Sequence, residues 1–153
     1  MSEMCNDKEF RKTLESLDSS QQREVAVMFV SHVLPLCQDK RLERVMKIAS
    51  DADATKEELA AALKTAHAVT FDSHARCGAD CHWSEQAGYF VARAAVAATT
   101  SPAHSRAGGP AWQAAMSARM AHTTSLIDDV TNTQSAHTEC LWQYESLSGY
   151  LNV

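Results

Sequence analysis

Hydrophobic positions recur along this chain at spacings of three and four, the period of helices packed on one face. Phe10, Leu14 and Leu17 set a short amphipathic helix over residues 7–17. Val25 to Cys37 reads Val-Ala-Val-Met-Phe-Val-Ser-His-Val-Leu-Pro-Leu-Cys, apolar on nearly every face. Such a helix belongs in the middle of a bundle, and Ser19 or Ser20 is placed to cap it. Pro35 removes a backbone donor and should end or kink it near Val33. A third helix over Lys40 to Ser50 turns Leu42, Val45, Met46 and Ala49 inward and leaves Lys40, Arg44 and Lys47 as a solvated basic stripe. Thr55-Lys56-Glu57-Glu58 is a capping box, after which Leu59, Ala62, Leu63, Ala66 and Val69 form the inward line.

Beyond it, Ser84-Glu85-Gln86 caps a helix with an inward line of Ala87, Phe90, Val91, Ala94 and Ala98. The Ser-Pro and Gly-Gly-Pro of Thr99 to Pro110 predict a loop, with Pro110 at the start of the next helix. That helix spaces Trp112, Met116, Met120, Thr123, Ile127 and Val130 along one stripe. A last helix presents His137, Cys140, Leu141, Tyr144, Leu147 and Leu151. No alternating strand pattern occurs. The expectation is all-α, a single bundle of six or seven mostly antiparallel helices, residues 1–153 forming one domain with its main bundle over 20–151.

Composition narrows the class. At 153 residues the chain suits one core, and five glycines and three prolines leave room for long helices. A net charge of −5 argues against nucleic acid and anionic membrane, and for a basic partner surface. No apolar run approaches the roughly 18–20 residues of a membrane helix, and Met1 to Leu17 has no apolar signal core. Five cysteines without a regular framework then fit reduced thiols in a cytoplasm.

Reactive side chains concentrate at one place, His74-Ala75-Arg76-Cys77-Gly78-Ala79-Asp80-Cys81-His82. If the helix from Thr55 runs on through Cys81, then Leu63, His67, Thr70, His74, Cys77 and Cys81 share one stripe. His74, Cys77 and Cys81 then suit a zinc ion, completed from another helix by His32, His122, His137 or Cys140. Structural zinc sites usually draw ligand pairs from two segments, which favours the plainer reading: small buried cysteines facing a neighbour, histidines at the border of the core. His32 is expected as a hydrogen-bonded core histidine. No nucleophile elbow, phosphate loop, dinucleotide fingerprint or Glu-x-x-His pair occurs. Asp128-Asp129 and Asp51/Asp53 are tight carboxylate pairs at helix ends, where they cap or solvate. The sequence therefore points to a non-enzymatic protein, without catalytic residues.

Five stretches carry a resemblance in order: Val25 to Arg41 around His32-Val33-Leu34-Pro35-Leu36, Val45 to Ala49, Glu58 to Ala68, Ala92 to Ala98, and Trp142-Gln143-Tyr144-Glu145-Ser146-Leu147 with Tyr150-Leu151. Together they resemble an alanine-rich, all-helical family assigned to bacterial toxin–immunity systems as immunity proteins. The match covers nearly the whole chain, mostly through alanine and leucine; Leu-Pro-Leu and the Trp-Gln…Tyr-Leu ending are its specific parts. Gln38-Asp39-Lys40 departs from the family's acidic-proline text, and Cys77, Cys81 and His82 lie outside its pattern. The resemblance implies a protein that occludes a cognate toxin and carries no catalytic residues over. A metal-binding bundle and a self-associating structural bundle, hence a homo-oligomer, are the alternatives.

Overall fold

A computed structural model describes residues 6–76, 83–101, 104–105, 107–127 and 137–152. Among the described residues there are seven α-helices and no strands: α1 (Asp7–Glu15), α2 (Ser19–Val33), α3 (Arg41–Ala49), α4 (Lys56–Arg76), α5 (Trp83–Thr99), α6 (Gly109–Ile127) and α7 (His137–Leu151). The protein is an all-helical bundle. No described helix is long and apolar enough to cross a membrane.

Local chemistry sets the boundaries. Asn6 accepts from the Lys8 amide at 2.9 Å to start α1. The cap of α2 is Asp18, one residue ahead of the expected serines, closing a reciprocal box with Gln21. Pro35 acts as expected: α2 stops at Val33 and Leu34–Leu36 tighten into a 3-10 turn. At Thr55 the capping box forms, with Glu58 and Thr55 each accepting the other's amide at 3.0 Å. Gly108 and Gly109, at φ +94° and +85°, turn the chain into α6; a Cβ on Gly108 would lie 2.3 Å from the Trp112 ring.

Two buried clusters hold the helices. The larger joins α2 to α6 and is dominated on α4, α5 and α6 by alanines such as Ala62, Ala66, Ala94, Ala95, Ala114 and Ala118. Helix α5 lies at its centre, packed on α4, α6, α2 and α3, so it shares the middle of the bundle with α2. With methyl side chains at the contact, two axes approach toward the short end of the roughly 8–10 Å range. This corrects the stripe expected on α6. The buried line there is Ala111, Ala114, Ala115, Ala118 and Ala121, whereas Trp112 and Met116 are half-buried and Met120 is 48% exposed. The α5–α6 contact needs the smallest residues at its centre, and the large ones move to its margins. The Ile127 side chain and Val130 lie outside the described residues.

The second cluster is aromatic: Phe10, Phe29, Tyr144 and the neighbouring Trp112, Trp142 and Tyr150 tie α1, α2, α6 and α7 together. Phe10 meets Tyr144 edge-on at 4.9 Å and Phe29 at 6.0 Å. Its buried polar groups are bonded. Gln22 donates to the Leu14 carbonyl at 2.7 Å and accepts from the Ala111 amide at 3.1 Å, joining the end of α1 to the start of α6. Gln143 donates to the Ala115 carbonyl and accepts from Arg119. Helix α7 also departs from its expected line: Leu141 and Leu151 are exposed, while Glu139 and Gln143 are buried because each has a partner to bond.

Candidate binding cleft

The described surface is concave where α4, α5 and α6 line up side by side. The alanines Ala87, Ala94, Ala95 and Ala98 of α5 are turned into the core, and its opposite side faces the concavity between α4 and α6. The resulting cleft of about 650 Å³ is lined by Tyr89, Arg93, Val96 and Ala97 of α5, with Thr100 just beyond its end. Leu63, His67 and Thr70 line the α4 wall, Gln113 and Ser117 the α6 wall, and His104 with Ser105 the loop end. His104 is held by a 2.9 Å hydrogen bond between its Nδ1 and the Ser101 hydroxyl. The outer edge of the α4 wall continues into a shallow hollow of Lys64, His67, Ala68, Thr70, Phe71, His74 and Tyr89. Phe71, 74% exposed, stands on it as the most exposed large apolar residue described.

Helix α4 is fixed by what lies behind it. Ala62, Ala66, Val69 and Ser73 face the core, leaving His67, Phe71 and His74 on the opposite side. Near its end Asp72 accepts from Arg41 Nη2 at 2.8 Å, while Asp39 accepts from the same guanidinium at 2.7 Å. Those bonds, Asp39 first and Asp72 second, hold the Arg41 guanidinium above its ordinary pKa and lock α4 to the start of α3.

The expected stripe of Leu63, His67, Thr70 and His74 is thus real as a line on α4, but it lines the cleft and the hollow. His74 lies in the last turn of α4, exposed, with its ring 5.7 Å from that of Tyr89. Cys77, Cys81 and His82 lie outside the described residues, as do the side chain of His137 and the pair Asp128-Asp129. Among the described residues no three His, Cys, Asp or Glu side chains are grouped to hold a metal ion. The other suggested ligands sit on different helices: His122 on α6, its Nδ1 buried with no hydrogen-bond partner among the described residues, Cys140 in the aromatic cluster, and His32 on α2.

His32 differs from expectation. It is exposed, not in the core: its ring stacks on Trp142 at 3.5 Å and 7°, and its Nδ1 lies 2.8 Å from both carboxylate oxygens of Glu139. The Glu139 side chain has 0% exposure. An imidazole oriented by a buried carboxylate is half of an acid–base arrangement, yet no hydroxyl or thiol among the described residues bonds to it. The pair joins α2 to α7. Its one sequence signal was Glu139 and Trp142 three apart on α7, opposite the single polar ring of an apolar α2.

Sequence reasoning also missed Phe71, Tyr89, Arg93 and His104. A legible trace existed: Arg93 is the only charged residue between Gln86 and Thr100, and Tyr89 lies one turn before it. Comparison of the chain with protein-family models, curated proteins and solved structures finds no match.

Proposed function

We propose that this is a non-enzymatic binding protein that docks a protein partner on the α4–α5 face, and that the partner is a toxin it neutralises. The observation that carries the reading is Phe71, a fully presented aromatic ring beside a built concavity. A large exposed apolar side chain rimmed by polar groups marks a protein contact, and aromatic anchors dominate contact energies. The resemblance to bacterial immunity proteins supplies the kind of partner, and with it a cytoplasmic location.

The sequence suggested a basic partner from the net charge of −5. The docking face supports a different contact. Among the described residues its titratable side chains are Lys64, His67, His74 and Tyr89, and no carboxylate lines the hollow. Glu9, Glu15, Glu24, Glu43, Glu57, Glu58 and Glu145 are all exposed, and none of them lines the hollow. Contact at Phe71 therefore suits an apolar, neutral or acidic patch of the toxin.

Calorimetric titration with the purified product of a toxin-like reading frame adjoining the gene tests this. The expected result is 1:1 binding that weakens about tenfold or more in Phe71→Ser, a hot-spot-sized loss of at least 1.4 kcal/mol, with unchanged melting. No binding, or equal binding by the variant, would contradict it.

A further inference from the structure

Two arginines stand alone in alanine-rich helices, and the bundle treats them differently. Arg119 is the only charged residue of α6 and Arg93 the only one between Gln86 and Thr100 on α5. Arg119 is enclosed: Nη1 donates to Asp7 at 3.0 Å, Nε donates to Gln143 at 2.8 Å, and the Phe10 and Tyr144 rings lie 5.3 and 5.6 Å from its Cζ. Only its Nη2 lacks a partner. Arg93 is half-buried on the cleft floor and has no hydrogen bond or carboxylate among the described residues. Its one recorded contact is the Tyr89 ring, 5.9 Å from Cζ. A guanidinium offers five donors in a rigid fork and is seldom withdrawn from water without a partner. Here the fork is held ready on a rigid helix and left unanswered.

The rest of the cleft matches an anion with an apolar body. Leu63, Val96, Ala97 and the Tyr89 ring provide apolar wall, and Ser105, Gln113 and Ser117 provide neutral donors, whereas the Thr100 hydroxyl donates to the Val96 carbonyl. His67 and His104 add imidazoles, and among the described residues no aspartate or glutamate lines the space although the chain carries 19 acids against 14 bases. Its volume of about 650 Å³ lies within the range of small-molecule sites.

We infer that the cleft is a second site, adjoining the docking face, which binds a small organic carboxylate with an aromatic or aliphatic body. Arg93 grips the carboxylate through paired N–H donors, and the body lies along Val96 and Ala97 toward Leu63. The cleft and the hollow share His67, Thr70 and Tyr89, but Phe71 lines the hollow alone and Arg93 the cleft alone, so the two can be tested apart.

The probe pair 1-naphthylacetate and 1-naphthylacetamide tests it, read by calorimetry and by NMR of the Arg93 Nε–H and Tyr89 ring signals. The carboxylate binds saturably at millimolar concentrations and moves both signals; the neutral amide binds about tenfold more weakly or worse. Arg93→Gln loses a similar factor, and Ser117→Phe, filling the cleft from the opposite wall with Arg93 intact, abolishes binding. Phe71→Ser leaves it unchanged, which separates failure of this site from failure of the docking face. Equal binding of amide and carboxylate, no effect of Arg93→Gln, or no saturation would overturn the assignment. So would inorganic phosphate binding as tightly, since it has no apolar body.

Discussion

The aromatic end and the alanine layer solve the same packing problem in opposite ways. Around Phe10 the helices are held apart by rings, and the spaces between them are filled by bonded polar groups: Arg119, Gln143 and Gln22. The Tyr144 hydroxyl donates to Asp7 there, and burial first, that bond second, raises the phenol above its ordinary pKa. Along Ala94, Ala95, Ala114 and Ala118 the contact is made by methyl side chains, which carry no polar group to bond. The first region spends its polar groups internally. The second turns its alanines inward and leaves Arg93 half-buried in the cleft, with the Tyr89 ring beside it and no hydrogen-bond partner among the described residues. That difference is why Arg93 remains available while Arg119 does not.

The contrast can be broken from either side. Phe10→Ala removes a fully buried ring from the junction of α1, α2, α6 and α7, leaving a cavity that costs about 3–5 kcal/mol. Ala95→Leu acts the other way, forcing extra methylenes between close-packed helices at a cost of about 1–3 kcal/mol. Denaturant midpoints measure both. The two losses should also differ in kind: Ala95→Leu disturbs ligand binding in the cleft, and Phe10→Ala leaves it intact below its melting temperature. Equal tolerance of Ala95→Leu and of a surface substitution would mean that α5 and α6 are not in close contact.

The smallest expected effect belongs to Tyr150, whose hydroxyl donates to Glu24 at 2.5 Å. That bond foremost, with partial burial, pushes its pKa up to about 12 from the ordinary 10. The raised value means that the bond's contribution is complete below pH about 10 and is lost as pH rises toward about 12. Unfolding followed between those limits should show a shallower loss of stability in Tyr150→Phe than in wild type. Identical slopes would remove the bond from the account.

Element order and type were legible because period, Pro35 and the Thr55 capping box all act locally. What α6 and α7 bury was not. A stripe of Trp112, Met116 and Met120 looks like a core face to any reading that ranks side chains by hydrophobicity, but the distance between two axes decides which residues fit, and that distance is not local. Glu139 and Gln143 were invisible for the same reason: each is tolerable inside only because His32, Ala115 and Arg119 come from other helices. The cleft was half visible. His67 and His74 stood out through their spacing to the cysteines, whereas Arg93 and Phe71 gain meaning only once α4 and α6 are seen as walls.

The central claim is that the working surface is the α4–α5 face and that the aromatic end is scaffold. Growth rescue against a toxin that the wild-type protein neutralises tests it with two exposed apolar residues of similar kind, Phe71 on α4 and Leu151 on α7, 74% and 45% exposed. Neither substitution to serine should change stability by more than about 0.5 kcal/mol. The account predicts that Phe71→Ser loses protection and Leu151→Ser keeps it. Protection retained by Phe71→Ser and lost in Leu151→Ser would place the function at the other end of the molecule.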